Sequence, residues 1–155
     1  MASVRKQILD VVELKLETVR AALGWLTVAR DPRELIGEDE MNAILLGSGG
    51  DREPDSLTGQ VETHVMDFEV GLVVIERDGD LAEDLLDAGY VAISDALLNP
   101  ADIQLGALAV DIRRGEMSPP FIGRGKSGAR IVGVQSIGFM VSYWAREGDA
   151  SNPAP

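Results

Sequence analysis

Four stretches of the sequence hold residue types that could do chemistry, and spacing decides each case. GRGKSGAR, residues 123–130, carries Gly125-Lys126-Ser127 like the end of a phosphate-binding loop. Such a loop needs a glycine five residues before its second glycine, where Pro120 stands. It also needs a helix after it, so that helical N–H groups face the phosphates. This segment leads into a strand pattern instead, so nucleotide binding is not expected. ERDGDLAED, residues 76–84, gathers acids as a calcium loop does. It lacks the Asp-x-Asp-x-Asp-Gly spacing, and no twelfth-position Glu can be placed. His64 is the single histidine. It shares strand phase with Met66 and Phe68, and no Gly-x-Ser-x-Gly elbow accompanies it for a Ser-His-acid triad. Asp67 and Glu69 resemble the paired carboxylates of a glycosidase. With 26 acidic residues such pairs arise by chance, and aromatics at 5% offer few platforms for a sugar. No cysteine is present, which removes disulfides and thiolate metal ligands. The expectation is a protein with no catalytic residues, no metal and no cofactor.

The elements that would position any site follow from periodicity. Residues 3–23 repeat apolar side chains at helical spacing (Ile8, Val11, Val12, Val19, Ala22, Leu23), with Ser3 as cap and Gly24 as terminator. Short strands are predicted at 25–30 and 42–46. GSGGDREPDSLTG, residues 47–59, is too polar and glycine-rich to pack and reads as a mobile loop. The stretch from Gln60 to Glu76 alternates Met66, Phe68, Val70, Leu72 and Val74 against Asp67 and Glu69, a long strand with one buried face. Asp80-Leu-Ala-Glu83 has the form of a capping box and opens a second helix, whose stripe is Leu81, Leu85, Ile93, Ala96 and Leu97. A fourth strand runs through Leu108, Val110 and Ile112, a second loop spans 115–128, and the last strand covers 129–145. The order α-β-β-β-α-β-β has too few helices to cover both faces of a parallel sheet. It predicts an α+β domain with both helices on one face of a mostly antiparallel sheet. Residues 1–146 form that domain, and 147–155 a short flexible tail.

At 155 residues, 45% hydrophobic and 26% charged, the chain can bury one core. No apolar run is long enough for a membrane helix, and the N-terminus has no signal-peptide layout. A reducing cytosol, or an assembly built there, is the expected setting. A net charge of −12 opposes wrapping nucleic acid through its phosphates but suits a surface past which nucleic acid moves without sticking.

Aromatic residues are the first candidates for partner contact. Trp25 is one. Tyr143 reads as core, because it shares phase with Ile137, Phe139 and Val141. Trp144 falls on the opposite phase with Met140 and Ser142, and that face, continued by Arg146, Glu147 and Asp149, is the predicted interface. The polar residues of the two loops, Asp51, Arg52, Glu53 and Asp55 in the first and Arg124 and Lys126 in the second, are predicted contact loops.

Three stretches resemble the phage tail terminator (tail completion) proteins. They are the opening amphipathic helix with a short strand and then AILLG, the long strand QVETHVMDFEVGLVVIE before a capped helix, and the ending IGFMVSYWAREGDASNPAP. The resemblance implies a structural virion protein, assembled in the bacterial host cytoplasm and placed at the tail neck of a phage or gene transfer agent. Six copies would form a ring that caps the tail tube, stops its growth, and meets the head-completion or connector protein. Its partners would be itself, the major tail tube protein and that connector. DNA would pass through the lumen unbound, and no membrane would be involved. Six copies would carry on the order of −70 charges. On this reading the last strand offers a bare edge that a neighbouring copy occupies. The alternatives are a neck connector protein and, from another class, a small-ligand binding module with a preformed apolar pocket.

Overall fold

The computed structural model describes residues 2–51, 55, 56, 61–125, 128, 130–146 and 149–153, with side chains left aside at 55, 56, 146 and 149–153. It has the expected α+β architecture. Its elements are α1 (Val4–Leu23), β1 (Thr27–Arg30), β2 (Ala43–Asp51), β3 (Asp55–Ser56), β4 (Val61–Ile75), α2 (Ala82–Leu97), β5 (Asp111–Met117), β6 (Phe121–Arg124), β7 (Ile131–Arg146) and β8 (Asp149–Pro153). Setting aside the short β3, β6 and β8, the order is the α-β-β-β-α-β-β read from the sequence. All strand pairings are antiparallel except β1 with β2.

The sheet runs β1-β2-β4-β7-β5, with β3 added beside β4 and β6 and β8 beside β7. The last long strand is therefore central and has no bare edge. β4 lines one side of it, while β8, β5 and β6 share the other at successive heights. The expectation of an exposed edge on this strand is wrong. Alternation reports which side chains are buried, and it carries no information about how many neighbours a strand has.

Strand pleat divides the sheet into a covered and an open face. Met66, Phe68, Val70, Leu72 and Val74 of β4 meet Ile137, Phe139, Val141 and Tyr143 of β7 under the two helices, all buried. Phe68 and Phe139 stack with ring centroids 5.3 Å apart. From above, α1 contributes Val4, Ile8, Leu9, Val12, Leu16 and Val19, and α2 contributes Ala82, Leu86, Ile93 and Leu97. Gln135 is the one buried polar residue on this layer among the described residues; its amide donates to the Ser118 carbonyl at 3.1 Å.

α1 is capped as predicted. The Ser3 hydroxyl accepts from the Lys6 amide at 3.1 Å, and Gly24 closes the helix in the left-handed region at φ 70°. Ala22 is exposed rather than buried. α2 departs further from expectation. Its N-cap is Leu81, half-exposed, and Asp80 makes no side-chain cap. The Glu76 carboxylate, from the end of β4, accepts from the Ala82 amide at 2.8 Å instead. A tight turn with Asp80 N–H donating to the Arg77 carbonyl at 2.9 Å brings Glu76 within reach. The buried stripe accordingly sits on Ala82, Leu86, Gly89, Ile93 and Leu97.

Both predicted loops contain strand. β2 continues through Asp51 and β3 follows, so part of 47–59 belongs to the sheet. β5 starts later than predicted, at Asp111, and runs to Met117, and β6 occupies 121–124. Residues 99–109 form turns, with positive φ at Leu105, Gly106 and Ala107. Asp149–Pro153 folds back on β7 as β8, moving the predicted tail boundary.

Trp25 is not a partner anchor. It is 5% exposed and lies under α2, where a Cβ added at Gly89 would come within 2.7 Å of its ring and 3.1 Å of Leu72. Replacing glycine by alanine inside a helix ordinarily stabilises it by about 1 kcal/mol. Here the rigid indole blocks the methyl. We predict that Gly89→Ala lowers unfolding stability by about 1–3 kcal/mol in urea titration; a stabilised variant would refute this packing.

Candidate functional site

The open face of the sheet is the feature a single chain leaves unused. It is built by the odd-numbered residues of β4 and the even-numbered residues of β7, with β2 and β5 on either side. Across its middle, Asp67 stands opposite Met140, which stands opposite Arg113; one step up, Val65, Ser142 and Asp111 form the next row. Trp144 closes the upper end opposite Thr63 and is 39% exposed. Met140, Ser142 and Trp144 therefore share the face predicted for them. Arg113 and Asp111 are joined by a 2.7 Å ion pair on the outermost strand.

Below these rows the face dips into a cavity of about 830 Å³ lined by Asp67, Glu69, Met140 and the glycines of three strands. A Cβ on Gly138 would approach the Glu116 carbonyl to 2.9 Å, and one on Gly49 the Asp67 carbonyl to 2.3 Å. Bulges in β2 between Ser48 and Asp51, and in β5 between Arg114 and Met117, flank the dip and bend the sheet there. The lower end is covered by the crossover from β1 to β2, residues 31–42, because parallel neighbours cannot be joined by a hairpin. Three contacts fix that crossover. The Asp31 carboxylate accepts from the Ser48 amide and hydroxyl at 2.8 and 2.6 Å, the Asn42 side chain accepts from the Ile75 amide at 2.8 Å, and Arg77 donates to the Glu38 carbonyl. The Ser48 hydrogen bonds hold the Asp31 carboxyl below the usual carboxylate range.

The predicted contact loops separate. Asp51 is not a free contact residue. Its carboxylate lies 3.5 Å from the Arg5 guanidinium and its charge acts on the Tyr143 hydroxyl, while Arg5 also donates to the Gly49 carbonyl. It thereby ties the start of α1 to the top of the sheet. Arg124 is exposed, with one bond to the Gly128 carbonyl at 3.0 Å. Asp55 lies in β3 opposite Thr63, and Arg146 pairs with Asp149 across β7 and β8. Arg52, Glu53, Lys126 and Glu147 lie outside the described residues.

His64 lies on the covered face, stacked on Tyr143 at 5.0 Å with its Nε2 3.0 Å from the Glu62 carboxylate. Among the described residues no three His, Cys, Asp or Glu side chains converge as a metal site would require. No described helix is long and apolar enough to cross a membrane. Sequence reasoning missed the exposed apolar residues of β6, Phe121 and Ile122. Their signal, two adjacent hydrophobics between Pro120 and Gly123, was hidden inside an assumed loop.

The fold and this face together define an α+β domain with one sheet layer covered by helices and the other presented outward. No family model and no curated protein matches the chain. One solved structure aligns with 85% of this chain and 94% of its own at 16% identity and a TM-score of 0.39, a likeness that carries no argument.

Two predictions follow from the assignment of faces. Trp144→Ala should change unfolding stability by no more than about 1 kcal/mol, whereas Phe139→Ala, on the opposite face, should cost about 3–5 kcal/mol; equal losses in urea titration would refute this assignment of faces. Burial, reinforced by the Asp51 charge, pushes the Tyr143 hydroxyl up to about 12 from 10.0. The protonated form is thus favoured by folding, so its contribution is complete below pH 10 and lost as pH rises through 12. Tyr143→Phe should flatten the fall in stability across that range, read as the difference between the wild-type and variant pH profiles.

Proposed function

We propose that this protein is a structural ring component that caps a phage or phage-like tail tube, stops its growth and offers the surface on which the head is joined. The observation that carries the reading is the open sheet face: a broad surface on rigid strands, with Trp144 and Met140 on it, and, among the described residues, no layer over its upper half. Rigid strands suit a contact that must be repeated identically in every copy. The assembly proposed is taken from the resemblance of the sequence stretches 60–76 and 137–155 to tail terminator proteins. The acidity of the chain agrees with a channel that lets DNA slide, since like charges repel. On this reading the partners are further copies of the chain, the tail tube protein and a head-side connector, and the place of action is the tail neck.

Deleting the gene from its parent element and imaging particles by negative stain tests this. Overlong tubes without heads are the expected outcome. Tails of normal length that fail to join heads would instead make the protein a connector, and intact particles would refute both.

A further inference from the structure

One border of the sheet differs from the rest of the surface. β6 pairs with β7 on one side, and among the described residues no strand lies on its other side, so part of its backbone has no ladder partner. Phe121 is 69% exposed, on the open face opposite Val134, and Ile122, on the other face, is 42% exposed. Edge strands are normally blunted by charge, bulges or a covering element, because a bare apolar edge recruits another chain. Two arginines stand at this edge, and Arg130 borders a cavity that Glu38, Asp39 and Asp78 also line. Arg124 and Arg130 are both exposed, and neither is in an ion pair with a described residue.

The outer face of α2 is its electrostatic opposite. The helix contains no lysine or arginine. At 100° per residue, Glu83, Asp84, Asp87, Val91 and Asp95 fall within one face. All five are exposed, and none of the four acids has an ion-pair partner among the described residues. Val91 at the centre and Leu81 at the start supply exposed apolar surface between the charges. In a chain of net charge −12, two copies repel at a distance, so a stable contact between them has to match unlike patches.

We infer that the β6 edge, with Phe121, Ile122, Arg124 and Arg130, receives the acidic outer face of α2 from a second copy of this chain. The two patches are different surfaces of one molecule. The contact is therefore head-to-tail, and each copy donates one patch and accepts with the other, which is how closed rings are generated. This rests on the ring reading above and specifies which surfaces close the ring.

Sedimentation velocity on the full chain tests it with two charge-reversed variants, Glu83→Lys with Asp87→Lys, and Arg124→Glu with Arg130→Glu. All four positions are exposed, so both variants should fold, as circular dichroism would verify. Each variant alone should associate at least about tenfold more weakly than wild type. Mixing the two in equal amounts should restore association, because in an alternating arrangement every α2 again faces a β6 edge of opposite charge. If both variants associate as wild type does, or if the mixture recovers nothing, this contact is wrong while a ring by other surfaces still stands. A wild-type chain that stays monomeric at all concentrations would overturn the contact and the ring together.

Discussion

The antiparallel ladder between β4 and β7 is the constraint on which the rest of the fold depends. It holds register without a break from Val61 opposite Arg146 to Ile75 opposite Val132. Because side chains alternate faces, slipping one strand by a single residue would drive its whole buried set to the other side. For β4 that slip would place Asp67 and Glu69 beneath the helices and lift Phe68 and Val70 into water. Burying carboxylates without partners costs several kcal/mol each, so the register has a steep energetic wall on either side. The strands on both flanks inherit their positions from this pair.

The helices are located on that ladder by a handful of polar ties. Arg5 pins the first turn of α1 to the top of β2 through Asp51 and the Gly49 carbonyl. Arg30 of β1 reaches Asp10 at 2.6 Å and Glu13 at 3.5 Å. Lys15 bonds Asp102 at 2.7 Å, joining α1 to the segment after α2, and Glu76 caps α2. Partly exposed ion pairs contribute little energy individually. Their role is geometric, since apolar packing is non-directional and would tolerate a helix shifted along its axis. The helix side of the domain is thereby fixed.

What was legible in the sequence was local. Ser3, Gly24 and the 3.6-residue repeat between them mark α1 because a helix encodes its own ends and its own buried stripe. The alternation in β4 and β7 gives the two faces for the same reason, and it placed Met140, Ser142 and Trp144 together on the outward side. Pairing is another matter, because nothing in the alternation of 131–146 states that neighbours will lie on both edges. The cap of α2 depended on a competition between two nearby carboxylates. Asp80 had the right spacing, but Glu76 won once the turn at Arg77–Asp80 folded back. Short strands such as β3 and β6 are too polar, too brief or too close to Pro and Gly to display a period. Asp51 looks like a loop tip in the sequence because the apolar residues of its strand stop at Leu46, while the ladder runs on to Asp51.

The position of β7 at the centre of the sheet also orders events in time. All strands before it are synthesised first, yet β4 keeps one side unpaired, and α2 lacks much of the floor it covers, until Ile131–Arg146 has been made. At about 5–20 residues per second the nascent chain carries a long, half-apolar strand without its main partner for several seconds. The native contacts that close the core also span large sequence separations, which slows folding compared with a helical protein of equal size. The acids on the outward face of β4, Asp67 and Glu69, then have a consequence before the fold exists, because like charges on an unpaired strand oppose its pairing with identical strands.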